Sequence, residues 1–502
     1  MTVFKTHGTV IRNFFAVVWN RPMPLMAAFM IFAMCFWTLQ CSLLQNILGL
    51  DILETITWGA QMAMGHGKHP PLSGWVGYFF SIISGRSDWS LYLAAQLSLV
   101  VGACFVYKVA RMFWDEYASA VATLLLFFLF YYTPSETKFS TYFLEIALQP
   151  IMTYYFFKAS REKKIHQWLL FGFFCGLGIL NKYSTCLLLA GFLIVFFLNR
   201  DYRKQFFSLG PWLGLVIFLL VISPHLIWLF HHDFVCLKHV GNRLAEEHDW
   251  TLPLVVIATA VYPFAMQGAV MCLACLPRYR HWARKKKEME ILRWSLILTL
   301  VPSLTFIGIA FCGSDVIMMW FCSTASWTGI AVVAAFPFVI DREIFKRVYL
   351  LLLLFFFCMA IGTTCDLLFS SRKRIHTTPS AIVDPALAFW QSKRSDPIPV
   401  VVGERWWATV LENYSEGHPP ACEVNDDVFF ELYRNRISED GALLIGDPEA
   451  FKDFIQKTGY RDLKFTPIEY EFKALLGRKK KSAFFVAYYP SRAEREMETQ
   501  RH

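Results

Sequence analysis

Long apolar runs constrain this chain more than any other feature. The stretches Leu187–Leu198 and Leu350–Ala360 contain no charged residue, and mildly polar neighbours lengthen both. A mostly apolar stretch of about 18 residues is long enough to cross a bilayer as a helix. In hydrocarbon every backbone polar group must be bonded within the protein, so spanning segments are helices or closed barrels. Because the runs are continuously apolar rather than alternating, they predict a bundle of transmembrane helices.

The same reasoning predicts about eleven spans. Their cores are residues 23–45, 89–109, 117–132, 141–158, 167–181, 183–198, 207–230, 252–275, 294–312, 319–340 and 347–368. Only 17% of the 502 residues are charged, whereas a soluble chain carries about 25%. Asn181 and Lys182 separate spans five and six, because such a polar pair should not lie at mid-bilayer without a reason.

Lysine and arginine cluster at alternate connections and thereby predict the orientation. The basic connections lie near residues 5–21, 108–111, 161–164, 200–204, 278–287 and 342–347. Cytoplasmic loops carry the excess of these residues, so we assign this side to the cytoplasm. The first loop, about residues 46–88, and the tail then lie in the periplasm if the membrane is a bacterial inner membrane. Loops that face anionic lipid explain much of the net charge of +9 without nucleic acid.

The tail, residues 372–502, has the composition of a soluble domain that follows a transmembrane part over residues 1–371. Short β-rich runs and one helical stretch occur in it at Ile398–Val402, Ala442–Ile445, Pro448–Thr458 and Ala483–Tyr489. This order predicts a small α/β domain. A basic cluster at Arg478–Lys481 is either a solvated face or a contact with acidic lipid headgroups.

Two acids with helical spacing follow the first span. Asp51 and Glu54 are three residues apart, so a helix places both carboxylates on one face. With Ile52, Ile56 and Met62 towards the membrane, the segment predicts an interfacial helix that presents both acids above the bundle. The alternative is structural: Asp51 caps the helix, and Glu54 is its third-position partner in a capping box.

Other polar residues recur at the same predicted end of the bundle. They are Lys68 and His69 before Pro70-Pro71, then Glu136 and Lys138, then Asn181, Lys182 and Tyr183, and finally His225 with Trp228. Lysines suit a phosphate, an acid suits a general base, and histidine suits a metal ion or a hydrogen bond. Singly, such groups are more often headgroup contacts or interfacial hydrogen-bonding residues. Together they favour a site for an anionic, lipid-linked substrate.

At these residues the chain resembles bacterial members of the GT-C glycosyltransferase class, which includes protein O-mannosyltransferases and lipid A aminoarabinose transferases. The likeness is strongest to the branch that contains lipopolysaccharide galacturonosyltransferases. The matching elements are Asp51, Glu54, Trp58-Gly59, Lys68-His69-Pro70-Pro71-Leu72, Lys182-Tyr183-Ser184, and Pro224-His225 with Trp228. They cover roughly residues 20–240, and K-H-P-P-L after an acidic loop is the most specific of them.

The resemblance implies many transmembrane helices, juxtamembrane helices in a large first loop, and sugar transfer from a polyprenyl-phosphate donor to a lipid or protein acceptor. It also implies that the catalytic acid follows the first span, which makes Asp51 the matching position. Many relatives have adjacent Asp-Glu, whereas Ile52 and Leu53 separate Asp51 from Glu54 here. The division of labour between the two acids therefore stays open.

On this basis we expect inverting transfer at the anomeric carbon, with Asp51 and Glu54 as the catalytic acids. Lys68, Lys182 and Lys138 are expected to bind the donor phosphate. The other expected site residues are His69, Tyr183, His225 and Trp228. The one cofactor that the arrangement suggests is a divalent metal ion shared by Glu54 and His225.

Two other functions stay open at this point. A transporter or lipid flippase also needs many spans and membrane-embedded charge. However, no inverted repeat is visible in the sequence, and the polar residues gather at one end of the bundle. A scaffold protein whose tail binds cell-envelope partners would give the acidic loop no required role. Sugar transfer to lipid A, lipopolysaccharide or another envelope acceptor is the function that the resemblance favours.

Overall fold

The computed structural model of the chain describes residues 19–132, 139–245, 252–275, 286–322, 324–336, 338–371 and 374–500. Helices make up most of the described residues before 371. The α-helices there are α1 Pro22–Leu44, α2 Leu50–Ala60, α3 Leu72–Ile83, α4 Trp89–Arg111, α5 Glu116–Leu124, α6 Thr141–Glu162, α7 Ile165–Asn181, α8 Thr185–Leu198, α9 Arg200–Arg203, α10 Leu209–His231, α11 Val235–Ala245, α12 Leu252–Cys275, α13 Lys286–Phe311, α14 Thr328–Ala335 and α15 Arg342–Phe369. Short 3-10 helices lie at Leu125–Phe128, Phe130–Tyr132, Lys204–Phe207, Met318–Cys322 and Thr324–Trp327.

Seven helical segments among the described residues are long and apolar enough to cross a membrane. They are α1, α4, α10, α12, α13 from Glu288 onward, the segment Met318–Ala335, and α15. An eighth is added if α8 and the following Arg200–Phe207, which bend by 95°, form one span. The chain is thus a multi-pass membrane protein, but the predicted count of eleven spans is not confirmed.

The differences in span count have local causes. The predicted span at residues 117–132 is interrupted, because α5 ends at Leu124 and 3-10 helices follow it. Helix α7 has 17 residues, which is short for a full crossing. Helix α6 has 22 residues but contains the buried acid Glu145. Two of these causes are polar residues close to the predicted site, since α7 ends at Asn181 and α6 contains Glu145, whereas the break after Leu124 lies in an apolar run.

The first and the last long helices run side by side in the same direction. Near their starts, the Tyr349 hydroxyl of α15 donates to the Leu25 carbonyl of α1 over 3.3 Å. Near their ends, Gln40 Nε2 of α1 donates to Thr363 and Thr364 of α15 over 3.1 and 2.6 Å. Two parallel spanning helices must have an odd number of crossings between them. The first loop and the tail therefore emerge on the same side of the membrane.

A reporter experiment tests this arrangement. Alkaline phosphatase fused after Met64 or after Glu404 should be active, because both positions follow the same end of parallel helices. A fusion after the exposed Lys164, in a basic connection, should be inactive, since such connections stay in the cytoplasm. Fluorescent-protein fusions at the same sites should give the opposite pattern. Different sides for Met64 and Glu404 would contradict the parallel packing, and an inverted pattern would contradict the assignment of sides.

The tail forms a five-stranded mixed sheet covered by helices. Its elements are α16 Ser380–Gln391, β1 Val401–Gly403, α17 Arg405–Tyr414, β2 Ala421–Glu423, α18 Asp427–Asp440, β3 Ala442–Gly446, α19 Lys452–Thr458, β4 Thr466–Phe472, β5 Lys480–Tyr489 and α20 Arg492–Thr499, with 3-10 helices at Arg374–His376 and Pro448–Phe451. The strand order is β2-β1-β3-β5-β4, with β1, β2 and β3 parallel and β4 and β5 antiparallel. Strands β1 and β3 are buried throughout, as expected for parallel strands between helical layers. The prediction of a small α/β unit is confirmed.

The tail is held against the first loop by buried polar contacts. The Tyr414 hydroxyl, at the end of α17, donates to Asp88 over 2.9 Å and accepts from the Leu48 backbone N–H over 2.9 Å. The Thr57 hydroxyl of α2 donates to the buried Glu412 of α17. Burial raises the pKa of the Glu412 carboxyl to about 7. These contacts fix α17 over α2, where the predicted acids lie.

Candidate active site

Helix α2 is enclosed by two other parts of the protein. From Ile52 to Gly59 every residue is buried, because α3 and the tail helix α17 both pack against it. Ile52 and Ile56 are 0% and 2% exposed and belong to the protein core. The prediction that these two residues face the membrane is therefore wrong, whereas Met62 is exposed. Part of the cover comes from α17, more than 340 positions away in the chain, which the loop sequence cannot reveal.

Asp51 is the exposed acid of this helix. Helix α2 begins after Gly49 and no side chain caps it, so the capping alternative for Asp51 and Glu54 is wrong. The Asp51 carboxylate forms no hydrogen bond or ion pair with another described side chain. It exerts a longer-range attraction on Arg405. A carboxylate in this state can meet a substrate without first giving up a partner.

Glu54 lies in a cluster of four alternating charges, hereafter the charge cluster: Glu54, Lys68, Arg405 and Glu423. The Lys68 ammonium lies 2.7 Å from Glu54 Oε1 and 3.3 Å from Glu423 Oε2. Arg405 Nε lies 3.0 Å from Glu54 Oε1, and Arg405 Nη2 lies 3.1 Å from Glu423 Oε1. The first loop supplies two members and the tail supplies the other two. The cluster therefore joins the two parts of the protein at α2.

The two acids of the charge cluster titrate differently. Burial raises the pKa of the Glu54 carboxyl above its usual value, although Lys68 and Arg405 draw it down. Burial also acts to raise the pKa of Glu423, but Lys68 and Arg405 together hold it below its usual value. Glu423 is thus the more firmly ionised of the two. At Glu54 the effect of burial prevails over that of the neighbouring cations.

The segment between α2 and α3, hereafter the proline loop (residues 62–71), is packed between the helices and the tail. Its His66 ring is buried and stacks on Trp58 of α2 with centroids 5.3 Å apart. Gly65 lies so close to α10 that an added Cβ would be 2.4 Å from the Trp228 ring. A Cβ added to Gly67 would be 2.6 Å from an Asp426 oxygen of the tail. This packing positions Lys68 and His69 at the junction.

His69 lies among positive and imidazole groups. Burial lowers the pKa of its ring to about 3, and repulsion from Lys182, His239, Lys68 and His66 acts in the same direction. His69 is therefore neutral at neutral pH. The same interactions place Lys68 and Lys182 in the surroundings of one ring. The structure thus brings together two of the lysines that the sequence predicts for the donor phosphate.

Lys182 already has an acidic partner. It follows the last residue of α7, and its ammonium lies 3.3 Å from Glu145 Oε2 of α6 and 4.0 Å from the Tyr142 ring centroid. The other Glu145 oxygen accepts from the Ser184 hydroxyl over 2.6 Å. The Glu145 side chain is 1% exposed. A buried side chain stays charged when it is ion-paired and hydrogen-bonded, as the Glu145 carboxylate is by Lys182 and Ser184.

Tyr183 and His225 form a hydrogen-bonded pair at the end of α10. His225 Nδ1 lies 2.6 Å from the Met64 carbonyl, and Nε2 lies 2.7 Å from the Tyr183 hydroxyl. A carbonyl only accepts, so Nδ1 carries the proton and Nε2 accepts from Tyr183. The His225 ring also stacks on Trp228 with centroids 6.0 Å apart. Both ring nitrogens of His225 are therefore engaged.

The suggested metal ligands have other partners. The Glu54 carboxylate is bonded to Lys68 and Arg405, and His225 uses both ring nitrogens for Met64 and Tyr183. Within the described ranges, no group of three or more His, Cys, Asp or Glu side chains is placed to hold a metal ion. The residues present do not fit a shared metal without losing these bonds. Lys138, like Glu136, lies outside the described residues.

Three charged residues at the site are absent from the sequence predictions. Glu145 could have been found, because an acid inside the predicted span 141–158 is unusual and marks a functional or paired position. Arg405 and Glu423 give no such signal. They are ordinary charges of a soluble domain, and only the folded chain brings them next to Glu54 and Lys68.

The chain is similar in sequence to a described protein family and to several known proteins. Residues 68–228 match the family described as dolichyl-phosphate-mannose-protein mannosyltransferase. The lipopolysaccharide core galacturonosyltransferases RgtA and RgtB of Rhizobium johnstonii are 25% and 26% identical over 191 and 270 residues. These alignments cover 37% and 51% of this chain and 38% and 55% of the relatives.

A third relative is the undecaprenyl phosphate-alpha-4-amino-4-deoxy-L-arabinose arabinosyl transferase of Erwinia tasmaniensis. It is 24% identical over 251 residues, which are 47% of this chain and 44% of the relative. The chain therefore spans about half the length, or less, of the curated relatives it matches.

The fold extends the likeness beyond the aligned sequence. The crystal structure of ArnT from Cupriavidus metallidurans bound to undecaprenyl phosphate superposes with a TM-score of 0.63 at 12% identity. The match covers 92% of this chain and 97% of that one. By its sequence over residues 68–228 and by its fold over most of its length, this chain resembles the GT-C glycosyltransferases, with lipopolysaccharide core galacturonosyltransferases among its relatives.

Proposed function

We propose that this protein is a membrane glycosyltransferase that moves a sugar from a polyprenyl-phosphate donor to lipid A, lipopolysaccharide or another cell-envelope acceptor. The reaction takes place at the periplasmic face of a bacterial inner membrane. One observation carries the proposal. The segment that matches the family begins at Lys68, within the proline loop, and ends at Trp228 of α10. The proline loop packs against this end of the segment through the Met64–His225 hydrogen bond and the close approach of Gly65 to Trp228.

The proposed chemistry uses Asp51 as the acid that meets the acceptor. The acceptor oxygen attacks the anomeric carbon, the bond from that carbon to the phosphate oxygen breaks, and polyprenyl phosphate leaves. Asp51 takes the proton of an acceptor hydroxyl, or orients an acceptor that is already a phosphate anion. Its lack of a partner among the described side chains supports this role over Glu54, which Lys68 and Arg405 hold.

The lysines stabilise the charge that develops on the leaving phosphate. An ammonium has three N–H donors. Glu54 and Glu423 take two of those of Lys68, and Glu145 takes one of those of Lys182, so each lysine keeps a donor for a phosphate oxygen. The His69 ring, whose pKa both lysines help to lower, is neutral and adds no charge. Because the suggested metal ligands are engaged elsewhere, no step of this proposal uses a metal ion.

Replacing the lysines tests the donor site. Lys68→Ala and Lys182→Ala should each weaken donor use by roughly ten- to a hundredfold, because each removes a charge-assisted contact. The effect should appear in the KM for the donor, measured with purified protein in nanodiscs. Lys164→Ala, at a lysine that is 60% exposed, is the matched control and should leave the KM unchanged.

Lys182→Ala also leaves Glu145 unpaired, so its folded fraction must be measured alongside. Lys182→Arg, which preserves the ion pair, separates the two effects. An unchanged donor KM in both alanine variants would remove these lysines from the site.

Loss of the gene tests the proposed function in the cell. Lipid A and core oligosaccharide from strains with and without the gene are compared by mass spectrometry. The proposal expects a sugar modification that is present only with the gene, either a hexuronic acid or an amino-pentose, the sugars named for the relatives. Identical envelope glycolipids in the two strains would contradict it. A transporter or flippase, the main alternative, would alter the location of a lipid without adding a sugar in the purified system.

A further inference from the structure

The turn between β4 and β5 carries two exposed leucines within a run of positive charge. This segment, hereafter the basic turn (residues 473–481), reads Lys-Ala-Leu-Leu-Gly-Arg-Lys-Lys-Lys and contains five cations and no acid. Leu475 and Leu476 are 69% and 59% exposed. In a soluble domain, adjacent leucines with this exposure on one turn are unusual unless something covers them.

The basic turn is fixed to the end of the last membrane helix. The Leu476 backbone N–H donates to the Leu368 carbonyl over 2.8 Å, and the Ala474 N–H donates to the Ser371 hydroxyl over 3.1 Å. Gly477 lies so close that an added Cβ would be 2.2 Å from Ser371 Oγ. Helix α15 ends at Phe369, which is itself 58% exposed. The leucines are therefore held at the level where the spanning helix leaves the bilayer.

A groove opens between the basic turn and the end of the first span. It has a volume of about 380 Å³ and is lined by Leu43 and Leu44 of α1, by His376, and by Lys473, Leu475 and Lys479 of the turn. Leu43 is 70% exposed. One wall is thus apolar and belongs to a spanning helix, and the other wall carries Lys473 and Lys479 beside Glu471, the acid that pairs with Lys479. A ligand with an acyl chain and an anionic headgroup matches both walls.

Most cations of the basic turn have no acidic partner among the residues that the structure describes. Lys479 pairs with Glu471 over 2.9 Å. Lys473, Arg478, Lys480 and Lys481 are exposed and form no ion pair with any residue that the structure describes. The cations of such a cluster repel one another, and an anionic surface reduces this repulsion. Basic residues beside a bilayer also attract anionic lipids.

We propose that the basic turn is a membrane-docking site for anionic phospholipids: Leu475 and Leu476 insert among acyl chains while the surrounding lysines and Arg478 bind phosphate headgroups. The turn thereby anchors the tail to the bilayer beside α15. This role is independent of the proposed sugar transfer, since none of these residues belongs to the charge cluster. It holds the tail, which supplies Arg405 and Glu423, at a fixed height above the bundle.

Site-specific photocrosslinking in the full-length protein tests the proposal. A benzophenone amino acid replaces Leu475, and the protein is reconstituted in nanodiscs of phosphatidylcholine with or without phosphatidylglycerol. Peptide mass spectrometry should find lipid adducts at position 475, enriched by about tenfold for phosphatidylglycerol. The same amino acid at Leu432, a 55% exposed leucine on α18, is the matched control and should give no lipid adduct.

A charge variant completes the test. Arg478→Gln with Lys480→Gln and Lys481→Gln should abolish the preference for phosphatidylglycerol. The control, Lys452→Gln with Arg461→Gln and Lys464→Gln, removes three exposed cations elsewhere on the tail and should retain it. Absence of lipid adducts at position 475, equal adducts with both lipids, or adducts to a second copy of the chain would each overturn the proposal.

Discussion

Asp51→Asn is expected to reduce sugar transfer by about a hundredfold or more, because positioned general acid–base groups contribute roughly 10²–10⁴ to rates. Asparagine keeps the size of the side chain but cannot act as a carboxylate base. Asp51 is exposed and caps no helix, so the protein should stay folded, within about 0.5 kcal/mol of the parent free energy of unfolding. The turnover number is measured with purified protein at saturating donor and acceptor.

Asp453→Asn is a matched control for this substitution. Asp453 is also an exposed acid in the first turn of a helix, α19 in the tail. Its variant should transfer sugar at the parent rate. If Asp51→Asn were equally active, Asp51 would have no role as base or as acceptor-orienting anion. If Asp51→Asn with Glu54→Gln were still active, the first loop would not be the reaction centre.

Glu54→Gln is expected to affect stability as well as transfer. The substitution leaves Lys68 and Arg405 with Glu423 as their remaining acid in the charge cluster. Removal of one partner from a buried ion pair costs about 3–5 kcal/mol. We expect a loss of about 3 kcal/mol, the lower end, because the Arg405 side chain is 34% exposed and water screens its charge. Thermal unfolding in detergent measures the change.

A second substitution distinguishes charge pairing from packing. Adding Arg405→Gln to Glu54→Gln removes a cation along with the acid, so the double variant should be more stable than the sum of the single losses predicts. Glu469→Gln, at an exposed acid of β4, should change stability by less than about 0.5 kcal/mol. Strict additivity would mean that Glu54 and Arg405 do not interact. If Glu54→Gln loses more turnover than Asp51→Asn, after correction for the fraction of folded protein, the catalytic role belongs to Glu54.

The sequence predicted those features whose physical cause is local. Apolar runs such as Leu350–Ala360 identify spanning helices because every backbone polar group in the bilayer must be hydrogen-bonded within the protein. Three of the five strands of the tail were predicted from short runs of β-formers: β1, β3 and β5 overlap these runs, and their ends differ from them by at most three residues. Lys68, His69 and Lys182 were grouped by their shared end of the bundle, and in the folded chain both lysines act electrostatically on the His69 ring.

Features that depend on distant parts of the chain were not predicted. The interfacial position of α2 was inferred from its own amphipathic pattern, but Ile52 and Ile56 are buried in a helix that packs against both α3 and α17 of the tail. Lys68 and Lys182 were expected to bind the donor phosphate, but the pairing of each with a buried acid, Glu54 or Glu145, was not predicted. An ion pair between residues far apart in sequence leaves no pattern in one chain. The span count differed at residues 117–132, where an apolar run forms 3-10 helices, and at α6 and α7, where Glu145 lies inside one helix and Asn181 ends the other.

The measurement that tests the central claim most directly is sugar transfer by the purified protein. The full chain in nanodiscs is supplied with undecaprenyl-phosphate-linked galacturonic acid or aminoarabinose, together with lipid A or core lipopolysaccharide. We expect an acceptor that gains the mass of one sugar and an equal amount of undecaprenyl phosphate released, with transfer by Asp51→Asn lower by about a hundredfold or more under the same conditions. No product from either donor, combined with movement of the lipid-linked sugar between the leaflets of liposomes, would contradict the account and favour a transporter.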